Sequence, residues 1–63
     1  MEQKSEVMSR RLTCTHVGLS IATIWRMEKM GNFPRRVQLS SGRVGYFRKD
    51  VDDWLANRPR IKY

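Results

Sequence analysis

Apolar residues recur along this chain at two spacings, one helical and one alternating. From Leu19 onward, Leu19, Ile24, Met27 and Met30 fall on one side of a helix, while Ala22, Thr23, Arg26 and Lys29 fall on another. Trp25 lies at the border between the two faces, where a large ring can pack and still present its N–H. Ser20 is placed to accept the unpaired N–H groups of the first turn, and Gly31 to adopt the left-handed conformation that ends a helix. Before this helix, Ser9 precedes a looser pattern of Leu12, Thr13, Cys14, His16 and Val17, which reads as a first helix over residues 10–17. Thr13 is an alternative cap that shortens this helix by about one turn. Gly18-Leu19 joins the two segments at a tight turn, the sequence form of a helix-turn-helix.

Beyond Gly31 the spacing changes. Pro34 forbids helix continuation and biases Phe33 toward extended geometry, so Phe33 is expected to anchor a corner into the core. Val37-Gln38-Leu39 alternates, Ser40-Ser41-Gly42-Arg43 supplies turn residues, and Val44-Gly45-Tyr46-Phe47 resumes a strand pattern. That is a two-stranded hairpin, which is marginal alone and must lean on the helices. Phe47, Val51, Trp54 and Leu55 then form a helical stripe, with Asp50, Asp52 and Asp53 in the first turns favouring the helix dipole and Asn57-Arg58-Pro59 ending it. The expected fold class is α+β and mainly helical: a small winged helix-turn-helix in which the two helices are followed by the hairpin and a C-terminal helix. Residues 1–8 read as a flexible lead-in, 9–58 as the domain and 59–63 as a short basic tail.

Charge decides what such a module is suited to meet. The 63 residues carry a net charge of +7, from 13 Lys and Arg against 6 Asp and Glu. Between residues 9 and 49 stand Arg10, Arg11, Arg26, Lys29, Arg35, Arg36, Arg43, Arg48 and Lys49 against the single acid Glu28. Such a field suits a polyanion, and nucleic acid is the commonest, because each phosphate neutralised releases condensed counterions. A chain this short buries only about 60% of its unfolded surface, leaving little core for a catalytic pocket. His16 is the only histidine and Cys14 the only cysteine, so no disulfide, catalytic site, metal site or cofactor is expected. The polar start does not resemble a signal peptide and no apolar run is long enough to span a bilayer, so the expectation is a cytoplasmic, nucleoid-associated protein that does not engage membranes.

In a helix-turn-helix the second helix presents side chains to base edges while neighbouring elements hold the phosphates. Ser20, Ala22, Thr23, Trp25, Arg26 and Lys29 are the candidates on that helix. Arg26 has the geometry to read a guanine with two hydrogen bonds, Thr23 to reach a base or a phosphate, and Ala22 to touch a thymine methyl. For Ser20 and Thr23 local capping competes with DNA contact. For Trp25 a place in the core competes with a place on the binding face. Arg35, Arg36, Ser40, Ser41 and Arg43 are the candidates on the wing and backbone side, with Arg10 and Arg11 as additional phosphate contacts.

The residues Gly18-Leu19-Ser20, Thr23-Ile24-Trp25-Arg26, Gly31, Phe33-Pro34, Val37, Leu39, Val44-Gly45-Tyr46, Val51, Trp54-Leu55 and Arg58 resemble the ordered pattern of the AlpA family of short prophage regulators. The resemblance covers about Ser9 to Arg58. It implies a build similar to the DNA-binding domains of MerR regulators and phage excisionases, with double-stranded DNA as partner and a role in transcriptional control of integrase or in excision. By position, it also implies that Ser20, Thr23, Trp25 and Arg26 lie on the recognition helix and that the turn around Gly42 and Arg43 is the wing. Two departures stand inside the pattern: Glu28 where the family commonly has an apolar residue, and Tyr46 in place of the usual Trp. Neither is expected to disturb the recognition face of the second helix. Arg10 to His16 is more polar and more basic than the family's first helix. Further copies of the chain on DNA, and an integrase, are additional candidate partners. The competing class is a protein-interaction module that binds a regulator or recombinase. RNA is compatible with the charge, but the chain lacks the aromatic platform on which single strands stack.

Overall fold

Ser9 and Ser20 each start a helix by the same chemistry. The Ser9 hydroxyl accepts the Leu12 N–H, and the Ser20 hydroxyl accepts the Thr23 N–H. The computed structural model describes residues 6–61, in the order β1 (Val7–Ser9), α1 (Arg10–Val17), α2 (Ile21–Lys29), β2 (Val37–Ser40), β3 (Arg43–Phe47) and α3 (Arg48–Ala56). Of the two starts open for α1, Ser9 is the one adopted, and Thr13 instead donates its hydroxyl back to the Ser9 carbonyl at 2.8 Å. That bond satisfies the one buried polar side chain among the described residues.

Gly18, with φ of 76°, ends α1 and sends its N–H to the Cys14 carbonyl at 2.8 Å. Gly31, at 79°, closes α2 one residue beyond the cap Met30, while the Asn32 N–H reaches the Met27 carbonyl at 2.7 Å. A side chain at either glycine is disfavoured by that left-handed backbone. Pro34 follows, and Phe33 turns into the core as expected, only 5% exposed.

The wing has three strands where the sequence pattern indicated two. The sheet runs β1-β3-β2, all antiparallel, and Met8 stands opposite Tyr46 with both side chains fully buried. Val7 and Met8, read from sequence as part of a flexible lead-in, are therefore structural, and the Arg48 N–H prolongs the pairing by bonding the Glu6 carbonyl. The physical reason is that β1 takes its strand form from long-range pairing with β3. Three residues are too few to display a period. The remainder of the lead-in, residues 1–5, lies outside the described residues, as do residues 62–63 of the tail.

Met8, Ile24, Phe33, Tyr46 and Val51 form the core, with Cys14, Val17, Leu19, Met27 and Trp54 packed around it. Two members of the apolar stripe, Phe47 and Leu55, remain exposed, as does Met30 at the end of α2. Val51 and Trp54 carry the docking of α3. Trp54 donates its indole N–H to the Asn32 carbonyl at 2.6 Å and meets Phe33 edge-on at 4.7 Å.

Gly45 lies in the middle of β3, where both neighbouring strands press on it. A Cβ placed there would stand 2.6 Å from the Met8 carbonyl oxygen, 3.0 Å from Leu39 Cδ1 and 3.2 Å from Val7 Cγ1. The first of these is backbone, so the sheet must shift to make room. We expect Gly45→Ala to destabilise the fold by about 2 kcal/mol, the range for overpacking a filled site. Thermal unfolding followed by circular dichroism measures it, and an unchanged midpoint would rule out the tight approach of β1 to β3.

Candidate nucleic-acid interface

α2 turns one side inward, with Ile24 fully buried, while Ala22, Trp25, Arg26 and Lys29 stay on the outer side. These four line an open concavity of about 800 Å³ together with Arg10 from α1, Arg35 and Arg36 from the α2–β2 connection, Glu28 and Val44. A second hollow of about 540 Å³ continues from it along the wing, lined by Ser9, Arg10, Arg11, residues 38–42, Arg43 and Val44. Arg10 and Val44 belong to both. Ala22, Trp25, Arg26 and Lys29 thus share one continuous surface with Arg35, Arg36, Ser40, Ser41 and Arg43, joined by the start of α1.

Ser20 and Thr23 line neither hollow. The Ser20 hydroxyl donates to Thr23 Oγ1 at 3.0 Å while accepting the Thr23 N–H, and Arg26 Nη2 reaches the same Thr23 oxygen at 3.5 Å. Both hydroxyls are engaged at the helix start, which is the capping alternative. Arg26 projects from the adjacent turn with its guanidinium steered by Thr23.

Trp25 is 39% exposed and takes no part in the core cluster. Its ring instead carries two guanidinium groups, with Arg10 Cζ 5.7 Å and Arg36 Cζ 5.6 Å from the centroid. Of its two alternatives, the surface position is the one adopted.

Glu28 was expected to leave this surface untouched, yet it forms part of the wall. Its side chain is 14% exposed. Oε1 accepts the Tyr46 hydroxyl at 3.0 Å, and Oε2 accepts the Arg36 N–H at 3.1 Å and lies 3.8 Å from Arg36 Nε. The two departures from the family pattern are therefore bonded to each other. The signal available in sequence was an acid four residues after Ile24, on the buried side of the helix, where a carboxylate needs a partner. Nothing in the spacing named Tyr46 as that partner. A second tie that motifs did not reveal joins α1 to α3, His16 Nε2 to Asp52 Oδ1 at 2.8 Å.

Among the described residues, no group of three or more His, Cys, Asp or Glu side chains is arranged to hold a metal ion, and no helix is long and apolar enough to cross a membrane. Comparison with known families matches residues 6–59, most of the chain, to the family described as Prophage CP4-57 regulatory protein (AlpA). The chain belongs to this family. No curated protein matches it. In this AlpA-family chain the matched region begins at Glu6, so it includes β1 as well as the helices and the wing.

Burial, and then the hydrogen bond and charge of Glu28, push the Tyr46 phenol well above its ordinary value of 10.0. Folding therefore favours the neutral phenol. Its contribution to stability is complete below the unfolded value near 10 and is lost as pH climbs from there toward the higher folded value, because the unfolded chain releases the proton first. In a Tyr63→Phe background, which leaves Tyr46 as the only tyrosine, we expect no phenolate absorbance near 295 nm until the chain unfolds in alkali. Ionisation near pH 10 with the fold intact would contradict this arrangement.

Proposed function

We propose that this AlpA-family chain binds double-stranded DNA as a prophage transcriptional regulator, with α2 in the major groove and the β2–β3 turn along the backbone. The observation that carries this reading is the continuous cationic surface. Arg10, Arg26, Lys29, Arg35 and Arg36 surround one hollow, and Arg10, Arg11 and Arg43 line its continuation. Among the described residues Glu28 is the only acid in either, and it is taken up by Tyr46 and Arg36. A helix is the element whose diameter fits a major groove, and a flanking hairpin can follow the phosphates.

Within that reading Arg26 is the base reader, because it projects from the middle of the exposed face of α2 and its fork geometry matches guanine. Ala22 and Lys29 flank it on the same face. Arg10, Arg11, Arg35, Arg36 and Arg43 are phosphate contacts, with Ser40 and Ser41 beside Arg43 at the turn. Five such contacts would lower affinity roughly 500-fold between 50 and 200 mM salt, from a slope of about −0.9 per phosphate. The regulatory target is integrase expression. Self-association on DNA and contact with an integrase are compatible with a single module of this size, which buries about 600–1,000 Å² on DNA.

Mobility-shift titrations at several salt concentrations test the division of roles. Arg26→Ala should cost roughly 10- to 100-fold on the target duplex and little on random duplex, the worth of one bidentate base contact. Arg43→Ala should weaken both duplexes alike and lower the salt slope by about one. Equal losses on both duplexes for both variants would defeat the assignment. Footprinting on the prophage integrase promoter and attachment sites separates regulator from excisionase, since protection confined to the attachment sites would replace transcriptional control with an architectural role in excision.

A further inference from the structure

Arg10 opens α1 and Arg36 ends the connection to β2, yet both guanidinium groups lie over one indole ring. A π face or an anion offsets the charge of a guanidinium group and limits where its flexible side chain rests. Here the ring of Trp25 serves both arginines and the Glu28 carboxylate serves Arg36. We propose that Trp25 and Glu28 are positioning residues that hold Arg10 and Arg36 ready on the wall of one hollow for backbone phosphates, an inference that rests on the DNA-binding reading above.

The contacts form an unbroken series. Tyr46, fully buried in β3, donates to Glu28 Oε1. Glu28 Oε2 takes the Arg36 N–H at 3.1 Å and lies 3.8 Å from its Nε. Arg36 reaches the Trp25 ring, and on the same ring rests Arg10, the residue common to both hollows. Two flexible side chains are thereby tied to the central strand of the core. A stacked guanidinium keeps its N–H edge available, and that edge is what pairs with phosphate oxygens. Ordering the arginines in advance removes part of the rotamer entropy that binding would otherwise cost. It also accounts for a large aromatic residue that is 39% exposed and absent from the core cluster.

Charge alone and positioning make opposite forecasts for Glu28. Removing an anion from a cationic surface should tighten duplex binding by simple electrostatics. If Glu28 positions Arg36, Glu28→Gln loosens the site, because the neutral amide has one acceptor oxygen and a donor where the carboxylate offers two acceptors and a charge to Arg36. Trp25→Leu retains apolar bulk and helix propensity without the π face, whereas Trp25→Phe retains a ring.

The experiment measures affinity for random-sequence duplex across salt, with circular dichroism showing each variant folded at the assay temperature. Side-chain NMR of the arginine Hε protons in the free protein accompanies it. We expect Trp25→Phe within twofold of the parent chain, and Trp25→Leu and Glu28→Gln each weaker by roughly fivefold on random and target duplex alike. Trp25→Leu should also lower the salt slope by about one, although it removes no charge. The Arg10 and Arg36 Hε signals should be shifted by ring current in the parent and in Trp25→Phe, and lose that shift in Trp25→Leu. Tighter binding by Glu28→Gln, or a Trp25→Leu loss confined to target duplex, would overturn the positioning roles. Absence of the ring-current shift in the free parent chain would refute the stacked pair whatever the DNA result. A parent chain that shows the shift but binds no duplex would instead refute the DNA-binding reading, and the phosphate role with it.

Discussion

The hydrogen bond from Tyr46 to Glu28 is the constraint on which the arrangement of this small module depends. Tyr46 belongs to the middle strand of the sheet, with β1 and β2 on either side, so it occupies the one position from which a strand can reach every layer. Its ring meets Phe33 edge-on at 5.4 Å, Phe33 meets Trp54 of α3 in turn, and its hydroxyl ends on the acid of α2. A hydrogen bond to a charged group contributes about 1.5–3 kcal/mol net, more than a neutral one. The greater effect is directional. A carboxylate with both oxygens occupied sets the rotation of α2 against the wing, and that rotation decides which side chains of α2 meet solvent.

Much of the frame was legible because it is built from local chemistry. Ser9, Gly18, Ser20 and Gly31 mark the ends of α1 and α2 through bonds to residues three or four positions away, and Phe33-Pro34 marks the corner by the stereochemistry of proline. What was not legible is long-range. β1 exists because Met8 finds Tyr46, and Glu28 is satisfied by a phenol on another element. Neither leaves a trace in spacing. Periodicity also marks the side of a helix without saying how much of it will be covered, which is why Phe47 and Leu55 belong to the stripe of α3 and still face solvent. Trp25 was ambiguous because position on a helix cannot tell whether its border faces core or groove. The two arginines that settle it come from residues 15 before and 11 after it in the chain.

The distribution of acids reinforces the character of the concave surface. Asp50, Asp52 and Asp53 lie on α3 beside Glu6 and Phe47, around a different hollow from the one that α2 lines. Asp50, in the first turn of α3, favours the helix dipole, and Asp52 holds His16. The negative charge is thus spent on structure away from the basic face, whose positive field is not cancelled across its own width. The one acid kept there is bound on both oxygens. Net charge alone describes a chain that would stick to any polyanion, whereas this separation gives the proposed interface a defined side and edge.

A chain of this length cannot keep its core and its site apart. Only five hydrophobic side chains among the described residues are buried, and one of them, Tyr46, is also the anchor of the groove wall. Stability and binding are consequently coupled at some positions and separable at others. Changes at Tyr46 or Glu28 disturb both the packing of β3 and the placement of Arg36, so a loss of affinity there carries a structural part. Arg26 and Arg43 are exposed and bear on no core contact, so their removal isolates the surface chemistry from the fold. Trp25 stands between these cases, since it is anchored by its helix but uninvolved in the core. Substituting it changes the ordering of two charges while leaving their number and the scaffold as they were, which makes it the position where preorganisation can be distinguished from charge.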